Sequence, residues 1–318
     1  MKIGLDIMGG DFAPAEAIKG VQLFFEQVQD PSVHLLLIGD ARAAAPYLSL
    51  LEPYLSRYTL VEASQVIGMH EHPTKALKEK PDSSIAVGFG LLAQKKSDAF
   101  ISAGNTGAMM VGGMYSVKNI EGILRPTIAS PIPREDGNFN LLLDVGANAD
   151  CKPEHLLQFA QLGSLYMQHV VGIEQPRIGL LNLGEEEGKG NLLAQAVYPM
   201  LKEHAQINFV GNLEGRDIFL NKSDVLVCEG FVGNVVLKMA ESIYDIFSQR
   251  DIKDPFLNNF NYEIYGGTPI LGINEPVIIG HGISHAVAFR NMIEVARKII
   301  SSHLIAAFKA HFSQAATA

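Results

Sequence analysis

The sequence predicts an α/β fold built around a largely parallel sheet with helices on both faces. Short apolar runs alternate with longer helical patterns almost from end to end, which is typical of βαβ units. The candidate strands are apolar throughout, as strands covered on both faces must be. With 318 residues, of which 47% are hydrophobic and 19% charged, the chain can bury a large core.

The first part of the predicted sheet starts at the N-terminus, where an apolar strand ends in a carboxylate, Asp6. Asp82 or Ser83 is suited to cap the helix predicted at 83–96, because both side chains accept hydrogen bonds from free backbone N–H groups. The predicted elements here are a strand at 2–7, a helix at 15–29, strands at 33–38 and 58–62 around a helix at 41–54, a helix at 83–96, a strand at 99–102 and a helix at 106–117.

The second part continues the same alternation. Pro126, Pro131 and Pro133 flank a run at 127–130 that we interpret as an edge or crossover strand. The elements that follow are strands at 139–145, 177–183, 207–210, 225–228 and 276–279, and helices at 153–170, 191–203, 232–247 and 284–308. No linker-like boundary interrupts them, so residues 1–318 are expected to form a single α/β domain, arranged as two interlaced lobes with a cleft between them.

Composition excludes several classes of protein. A net charge of −9 argues against nucleic acid as a partner. Two cysteines rule out a disulfide framework and a four-cysteine zinc site, and their scarcity fits a reducing cytosol. No signal peptide is visible, and no apolar run reaches the roughly 20 residues of a membrane span. We therefore expect a soluble, cytoplasmic protein.

Six predicted strands are followed by loops rich in glycine and asparagine. In an α/β sheet such loops meet at the carboxyl edge, where ligands bind. Glycine allows close approach of backbone N–H groups, and a helix that starts there favours an anion such as phosphate. Tight turning alone is the alternative for any single loop. The loops span residues 8–11, 103–107, 146–150, 184–191, 229–234 and 280–284.

The familiar fingerprints of other enzyme classes are missing. No G-x-G-x-x-G follows a strand, and 184–190 lacks the spacing of a P-loop. There is no G-x-S-x-G elbow, and His70-Glu71-His72 lacks the spacing of a zinc-binding helix. The usual residues of ATP, NAD, metal and serine-hydrolase sites are therefore absent from the sequence.

Four residues near these loops are individual candidates. Lys189 could stabilise an oxyanion or donate a proton, or be a solvated turn lysine. Asn234 could donate to a carbonyl oxygen, or cap a helix. Arg125 could bind phosphate, or pair with a surface acid. His281 could transfer a proton, or make a structural hydrogen bond.

Taken together, the motifs resemble the PlsX family of bacterial phosphate acyltransferases over nearly the whole chain and in the family's order. Each motif alone is weak, whereas the ordered set is specific. The motifs are Met8-Gly9-Gly10-Asp11 with Pro14, residues 101–108, Arg125-Pro126, residues 143–148, residues 179–184, Lys189-Gly190-Asn191, residues 230–235 and residues 265–269.

The resemblance implies transfer of a long fatty acyl group from acyl carrier protein to inorganic phosphate, giving acyl phosphate for phospholipid synthesis. It implies a homodimer, peripheral association with the membrane, and no metal or organic cofactor. A membrane glycerol-3-phosphate acyltransferase would act downstream as a further partner. The implied fold is a three-layer α/β/α sandwich similar to phosphate acetyltransferases and isocitrate/isopropylmalate dehydrogenases. Lys189 and Asn234 match the family's catalytic pair.

Three features depart from the family pattern. Phe12 stands where the family usually has His, so no general base is assigned there. Glu229 replaces the usual Asp. The segment 248–261 is shorter than the family's apolar insertion, which is associated with membrane docking. Phe256, Leu257 and Phe260 could form a small apolar tip, or pack against a partner subunit.

The expected mechanism is direct attack of phosphate on the thioester, because phosphate is already a charged nucleophile near neutral pH. Lys189 and Asn234 are expected to face the carbonyl oxygen or the departing thiolate. The expected substrate-binding residues are Gly9, Gly10, Asp11, Ser102, Gly104, Asn105, Thr106, Gly107, Arg125, Asp144, Asn148 and His281.

Acyl carrier protein is acidic, so it should dock on a local basic patch, for which Lys75, Lys78 and Lys80 are the best candidates. Two rival functions stay open from the residues alone. One is a phosphate acetyltransferase that uses acetyl-CoA, and the other is a non-catalytic module that binds a carrier protein or phosphate. A dehydrogenase related only by fold would instead bind NAD.

Overall fold

The computed structural model describes residues 1–315. Strands β1 to β11 span Lys2–Asp6, His34–Gly39, Tyr58–Glu62, Ala99–Ser102, Thr127–Pro133, Phe139–Leu143, Arg177–Leu181, Asn208–Leu213, Val225–Val227, Thr268–Leu271 and Val277–Ile279. Helices α1 to α11 span Ala15–Gln27, Ala41–Ala44, Pro73–Glu79, Ser84–Ala93, Thr106–Gly112, Pro153–Tyr166, Leu192–Glu203, Gly230–Gln249, Pro255–Asn258, Ala286–Ser301 and Leu304–Ala315. Short 3₁₀ segments cover Ala45–Arg57, Gly215–Asp217 and Tyr262–Ile264, and π-helical turns cover Gly113–Val117 and Met167–Val171.

The predicted alternation is confirmed, with several differences. The helix predicted at 41–54 is the four-residue α2 followed by the 3₁₀ segment Ala45–Arg57, and helix α9 was not predicted. The long final helix predicted at 284–308 is wrong, because α10 and α11 are separated at Ser302 and His303, where His303 has a φ of 54°. A left-handed residue cannot continue a right-handed helix. The strand predicted at 127–130 is longer in the structure, where β5 continues to Pro133. Helix α3 and strand β10 are not among the predicted elements; both are short and contain proline, which weakens their pattern.

The chain divides into two compact units, each made from separate parts of the sequence. Unit 1 comprises Met1–Asn119 and Tyr262–Ile305. Its strands lie in the order β3-β2-β1-β4-β11-β10, and every neighbouring pair is parallel except β10 with β11. Phe100 of β4 packs its ring on Phe89 of α4. Ile278 is in register with Ile101, the next residue of β4, and a Cβ on Gly267 would lie 2.9 Å from both Ile278 and Met292 of α10. Because adjacent strand residues point to opposite faces, α4 and α10 cover opposite faces of this sheet.

Unit 2 comprises Ile120–Asn261 and the C-terminal segment from Ala306. Its strands lie in the order β5-β6-β9-β7-β8, and β5 with β6 is the antiparallel pair. Helix α6 packs on the sheet at Gly163, where a side chain would collide with Val225 and Leu143. Mostly parallel, apolar strands joined by helices confirm the predicted α/β class. Among the helices of residues 1–315, none has the length and apolar character to cross a bilayer.

Candidate functional site

Three glycine-containing loops meet at one edge of unit 1. Strands β1, β4 and β11 run parallel, so the loops at their carboxyl ends lie side by side. The Asp11 N–H donates to the Gly282 carbonyl at 2.7 Å, which joins the first loop to the third. Gly10 has a φ of 99°, and a Cβ there would lie 3.0 Å from the Gly282 oxygen. Glycine is therefore required where these loops approach each other.

A buried serine joins the first loop to the second. The Ser102 hydroxyl donates to Asp6 Oδ2 at 2.7 Å and accepts from the Gly104 N–H at 2.9 Å. Burial raises the pKa of the Asp6 carboxyl. None of the hydrogen bonds that the structure gives this carboxyl comes from a cationic side chain. A Cβ on Gly9 would lie 2.7 Å from the Gly104 nitrogen and 2.8 Å from Asp6 Oδ2. The Ser102 hydroxyl hydrogen therefore binds Asp6, and its oxygen holds the second loop through the Gly104 N–H.

Asn105 holds a neighbouring segment in place. Its amide nitrogen donates to the carbonyl oxygens of Gly68, Met69 and Glu71, and its side-chain oxygen accepts from the Ala108 N–H at the start of α5. Both ends of this buried amide are thus bonded within the protein. The next residue, Thr106, is exposed.

A cavity of about 130 Å³ lies beneath these loops. Asp6, Ser84 and the segment 66–69 line it, together with Gly9, Gly10 and Gly104. Sequence reasoning did not place Asp6, Ser84 or segment 66–69 in the site. A carboxylate at the end of an apolar strand was the only signal for Asp6, and the other two lie in a stretch without a motif.

Two histidines lie in or next to the third loop. The His281 ring packs on Tyr262, with ring centroids 4.9 Å apart. The His285 ring stacks on Phe12, with centroids 4.5 Å apart, and His285 Nδ1 lies 3.6 Å from a Glu16 oxygen. Phe12, which follows the first loop, is therefore paired with the imidazole of His285, which follows the third loop.

The three lysines expected to dock a carrier protein are not equivalent. Lys75 and Lys78 lie exposed on α3. Lys80 follows the helix and turns inward, where its ammonium donates to Glu71 Oε1 at 2.5 Å and to the Val66 carbonyl at 2.8 Å. Lys80 thus fixes the segment that Asn105 also holds. Lys75 and Lys78 are exposed to solvent, and the Lys75 ammonium lies 3.9 Å from Glu79 Oε1 of the same helix.

In unit 2, a buried carboxylate organises the loop after β6. Asp144 Oδ1 accepts from the Thr127 hydroxyl and from the N–H groups of Ile128 and Ala147. Its Oδ2 accepts from the Asn148 N–H at 2.6 Å and from the Asn148 amide at 3.0 Å. Burial raises the pKa of Asp144, whereas these hydrogen bonds act in the opposite direction.

Asn148 and Arg125 flank that loop. The Asn148 amide also donates to the Pro126 carbonyl at 2.8 Å, so this buried side chain is bonded within the protein. Arg125 is exposed and donates from one nitrogen to the Asp150 carbonyl at 3.3 Å. Its planar guanidinium can present further donors to an anion.

Asn234 lies inside a helix and does not cap it, so the capping alternative is wrong. Helix α8 begins at Gly230, and its cap is Glu229, whose carboxylate accepts from the Val232 N–H at 2.7 Å. Asn234 is one turn further on, exposed, and donates to the Val145 carbonyl at 3.1 Å. An amide has two hydrogens, so this bond leaves the second one for a ligand.

Lys189 lies in a turn that other side chains hold by its backbone. Asn182 donates to the Lys189 carbonyl at 3.1 Å, and Gln195 donates to the carbonyls of Gly188 and Gly190 at 3.1 Å each. The Lys189 side chain passes close to Gly184 and is exposed. Asn182 lies in the motif at 179–184 without an assigned role, and Gln195 was not predicted, because an isolated amide on a helix carries no motif.

The segment expected to form an apolar tip packs inward in part. Phe260 is buried, with its ring 5.2 Å from those of Phe219 and Phe256. Phe256 and Leu257 are only half-buried. The prediction that Phe260 forms part of an exposed apolar tip is therefore wrong, because its ring packs against other aromatic rings within unit 2.

Comparison with known proteins assigns the family. A family model described as "Fatty acid synthesis protein" matches residues 1–307. A phosphate acyltransferase of Dictyoglomus turgidum is 42% identical over 94% of both chains. One from Heliobacterium modesticaldum is 43% identical over 98% of this chain and 97% of its own.

The fold is also found in solved structures. A phosphotransacetylase from Streptococcus pyogenes superposes with a TM-score of 0.63 over 94% of both chains, at 18% identity. The EutD phosphotransacetylase of Staphylococcus aureus gives a TM-score of 0.59 over 94% of both chains, at 15% identity. These two likenesses confirm the expected relation to the phosphate acetyltransferase fold. From the family model and the full-length relatives together, the chain belongs to the PlsX family of phosphate acyltransferases and is a transferase enzyme.

Proposed function

We propose that this enzyme transfers a long-chain fatty acyl group from acyl carrier protein to inorganic phosphate and so supplies acyl phosphate for phospholipid synthesis. One observation carries the proposal. Relatives named phosphate acyltransferase are 42–43% identical to this chain, and the similarity covers nearly the full length of both sequences. The glycine loops of both units support it, because they lie at the carboxyl ends of parallel strands, where ligands bind in α/β sheets.

In this proposal a phosphate oxygen attacks the thioester carbonyl, a C–O bond forms, and the C–S bond breaks as the tetrahedral intermediate collapses. The departing thiolate takes up a proton. Lys189 supplies positive charge to the oxyanion or to the thiolate, and the second amide hydrogen of Asn234 is available to the carbonyl oxygen. Placement of a nucleophile that is already charged replaces a covalent enzyme intermediate.

The proposal divides the predicted binding residues by what their side chains do. In unit 1, backbone groups of Gly9, Gly10 and Gly107 and the side chains of Asp11, Thr106 and His281 are assigned to the ligand. Gly104 leaves room for the loop, because its own N–H already donates to Ser102. In unit 2, the exposed guanidinium of Arg125 is assigned to an anion. The remaining four act as positioning residues, because protein partners already engage their buried side chains. They are Ser102, Asn105, Asp144 and Asn148.

We assign the docking of acyl carrier protein to Lys75 and Lys78. Both are exposed on α3, and the net charge of −9 makes a local basic patch necessary for an acidic partner. Lys80 supports the patch indirectly through its bonds to Glu71 and Val66.

The proposal also includes a cytoplasmic homodimer that associates with the membrane surface and passes its product to a membrane glycerol-3-phosphate acyltransferase. Helix α8 supports a dimer, because Phe231, Val235 and Met239 leave apolar side chains exposed along one stripe. Side chains four residues apart share a helix face. A second copy of the chain would cover that stripe.

A thiol-release assay tests the function. Palmitoyl-acyl carrier protein and acetyl-CoA are each supplied with and without phosphate. We expect phosphate-dependent release of free thiol from the palmitoyl donor and little from acetyl-CoA. Release from acetyl-CoA alone would make the enzyme a phosphate acetyltransferase. Binding without release from either donor would make it a non-catalytic module and overturn the proposal.

A further inference from the structure

Unit 2 contains a leucine-lined pocket that no part of the proposed chemistry uses. Its volume is about 300 Å³, at the lower end of cavities that hold small molecules. Its wall includes Leu156, Leu180, Leu181, Leu183 and Leu193. The other lining residues are Asn182, Asn191, Ala194, Cys228, Glu229 and Val232.

Each polar side chain of the wall makes at least one hydrogen bond within the protein. Asn182 donates to the Lys189 carbonyl and to Asn212 Oδ1, and its own oxygen accepts from the Leu183 N–H. Asn191 Oδ1 accepts from the Ala194 N–H, and Glu229 accepts from the Val232 N–H. A ligand in this pocket therefore meets mainly hydrocarbon and few hydrogen-bonding atoms that need a partner.

The pocket is bordered by the two elements that carry the proposed catalytic pair. Asn182 and Asn191 belong to the Lys189 turn, and Glu229 and Val232 form the start of α8, which carries Asn234. An acyl group whose carbonyl lies near these elements has its alkyl chain within reach of the leucine wall. Leu183, 71% exposed, places apolar surface at the mouth.

We propose that this pocket binds the alkyl chain of the acyl substrate. The inference rests on the proposed function for the identity of the ligand. It adds that unit 2 holds the hydrocarbon part and that the wall, in which Leu156, Leu180 and Ala194 are buried, limits its length. An acetyl group would leave such a pocket empty, whereas each buried methylene of a longer chain adds about 0.8 kcal/mol, or about fourfold in affinity.

A tryptophan reporter tests the site without requiring catalysis. The chain contains no tryptophan, so Leu183→Trp introduces a single indole at the mouth. Leu55→Trp is the matched control, because Leu55 is 67% exposed and does not line the pocket. A dibrominated stearate is titrated into both proteins. We expect saturable quenching of Leu183→Trp and only weak, non-saturable quenching of Leu55→Trp. Equal quenching of the two would overturn the inference.

A second substitution links the reporter to the pocket. In the Leu183→Trp background, Ala194→Leu should weaken the binding of the brominated acid about 15- to 60-fold, because it occupies space that two or three methylenes would fill. Leu193→Phe serves the same purpose if Ala194→Leu does not fold.

The filled variants should also turn over palmitoyl donors less well than octanoyl donors. Unchanged binding in a folded filled variant would refute the pocket. Quenching with no thiol release from any donor would refute only the proposed function.

Discussion

The Ser102 hydroxyl donates a 2.7 Å hydrogen bond to the Asp6 carboxylate, and both side chains are buried at the ends of neighbouring strands β4 and β1. The same hydroxyl accepts from the Gly104 N–H. One serine therefore joins two glycine loops of unit 1 and sets where their backbone N–H groups point.

Ser102→Ala should destabilise the fold by about 1–3 kcal/mol, because it leaves the Asp6 carboxylate and the Gly104 N–H without that partner. Urea unfolding measures the change, with Ser116→Ala, at an exposed serine, as the control. If Ser102 positions the phosphate loops, the folded variant should also show a higher KM for phosphate. A stability equal to that of Ser116→Ala would contradict this reading.

Gly10→Ala should raise the KM for phosphate and cost about 1–2 kcal/mol of stability, because an L-residue is strained at a φ of 99°. Gly137→Ala is a matched control. Its φ is 82°, but a side chain there meets open space, outside the proposed site. Both variants should lose stability in thermal unfolding, and only Gly10→Ala should change the phosphate KM. Equal phosphate KM values in the two would remove Gly10 from the site.

Lys189→Ala should lower kcat about 10²–10³-fold, the usual effect of removing one group that stabilises an oxyanion. The fold should survive, because Asn182 and Gln195 hold the turn by its backbone carbonyls. Phosphate-dependent thiol release and a circular dichroism melt report the two effects. Lys309→Ala, at an exposed lysine of α11, should behave like the parent. Near-normal turnover by Lys189→Ala would exclude the assigned role.

Replacing Lys75 and Lys78 together with Gln should slow association with acyl carrier protein and flatten its dependence on salt, because rim charges mainly set association rates. Stopped-flow association at several ionic strengths measures both. Lys96→Gln, at another exposed lysine, is the control and should leave the salt slope unchanged. The same slope in the double variant would place the carrier protein elsewhere.

Arg134→Gln should destabilise unit 2 by about 3 kcal/mol at pH 7, because buried Asp224 loses one of its two cationic partners. Arg134 also lowers the pKa of Asp136 to about 2, and ion pairs lower the pKa of Asp224. Their folded pKa values lie below the unfolded value of 3.8, so the stabilisation is present above that pH and is lost as pH falls towards 2. The variant should therefore lose less stability than the parent between pH 5 and about pH 2 in urea titrations. Parallel curves would contradict this assignment.

The sequence by itself determined the α/β class, most of the elements and the loops that form the candidate site. Hydrophobic periodicity and turn residues are local signals, and here they agree with the fold. Glycine and asparagine after the apolar strands predicted the loops, and their order along the chain predicted the family.

Only the tertiary structure decided which side chains are engaged. Asn105, Asp144 and Asn148 match the motifs, yet their polar atoms bond within the protein because the surrounding loops bring partners from distant positions. The break at His303 and the leucine pocket depend in the same way on contacts that no local pattern encodes. Burial and pairing are properties of the packed chain, so the residue types predicted the loops of the candidate site, and packing decided which of their side chains are bonded within the protein.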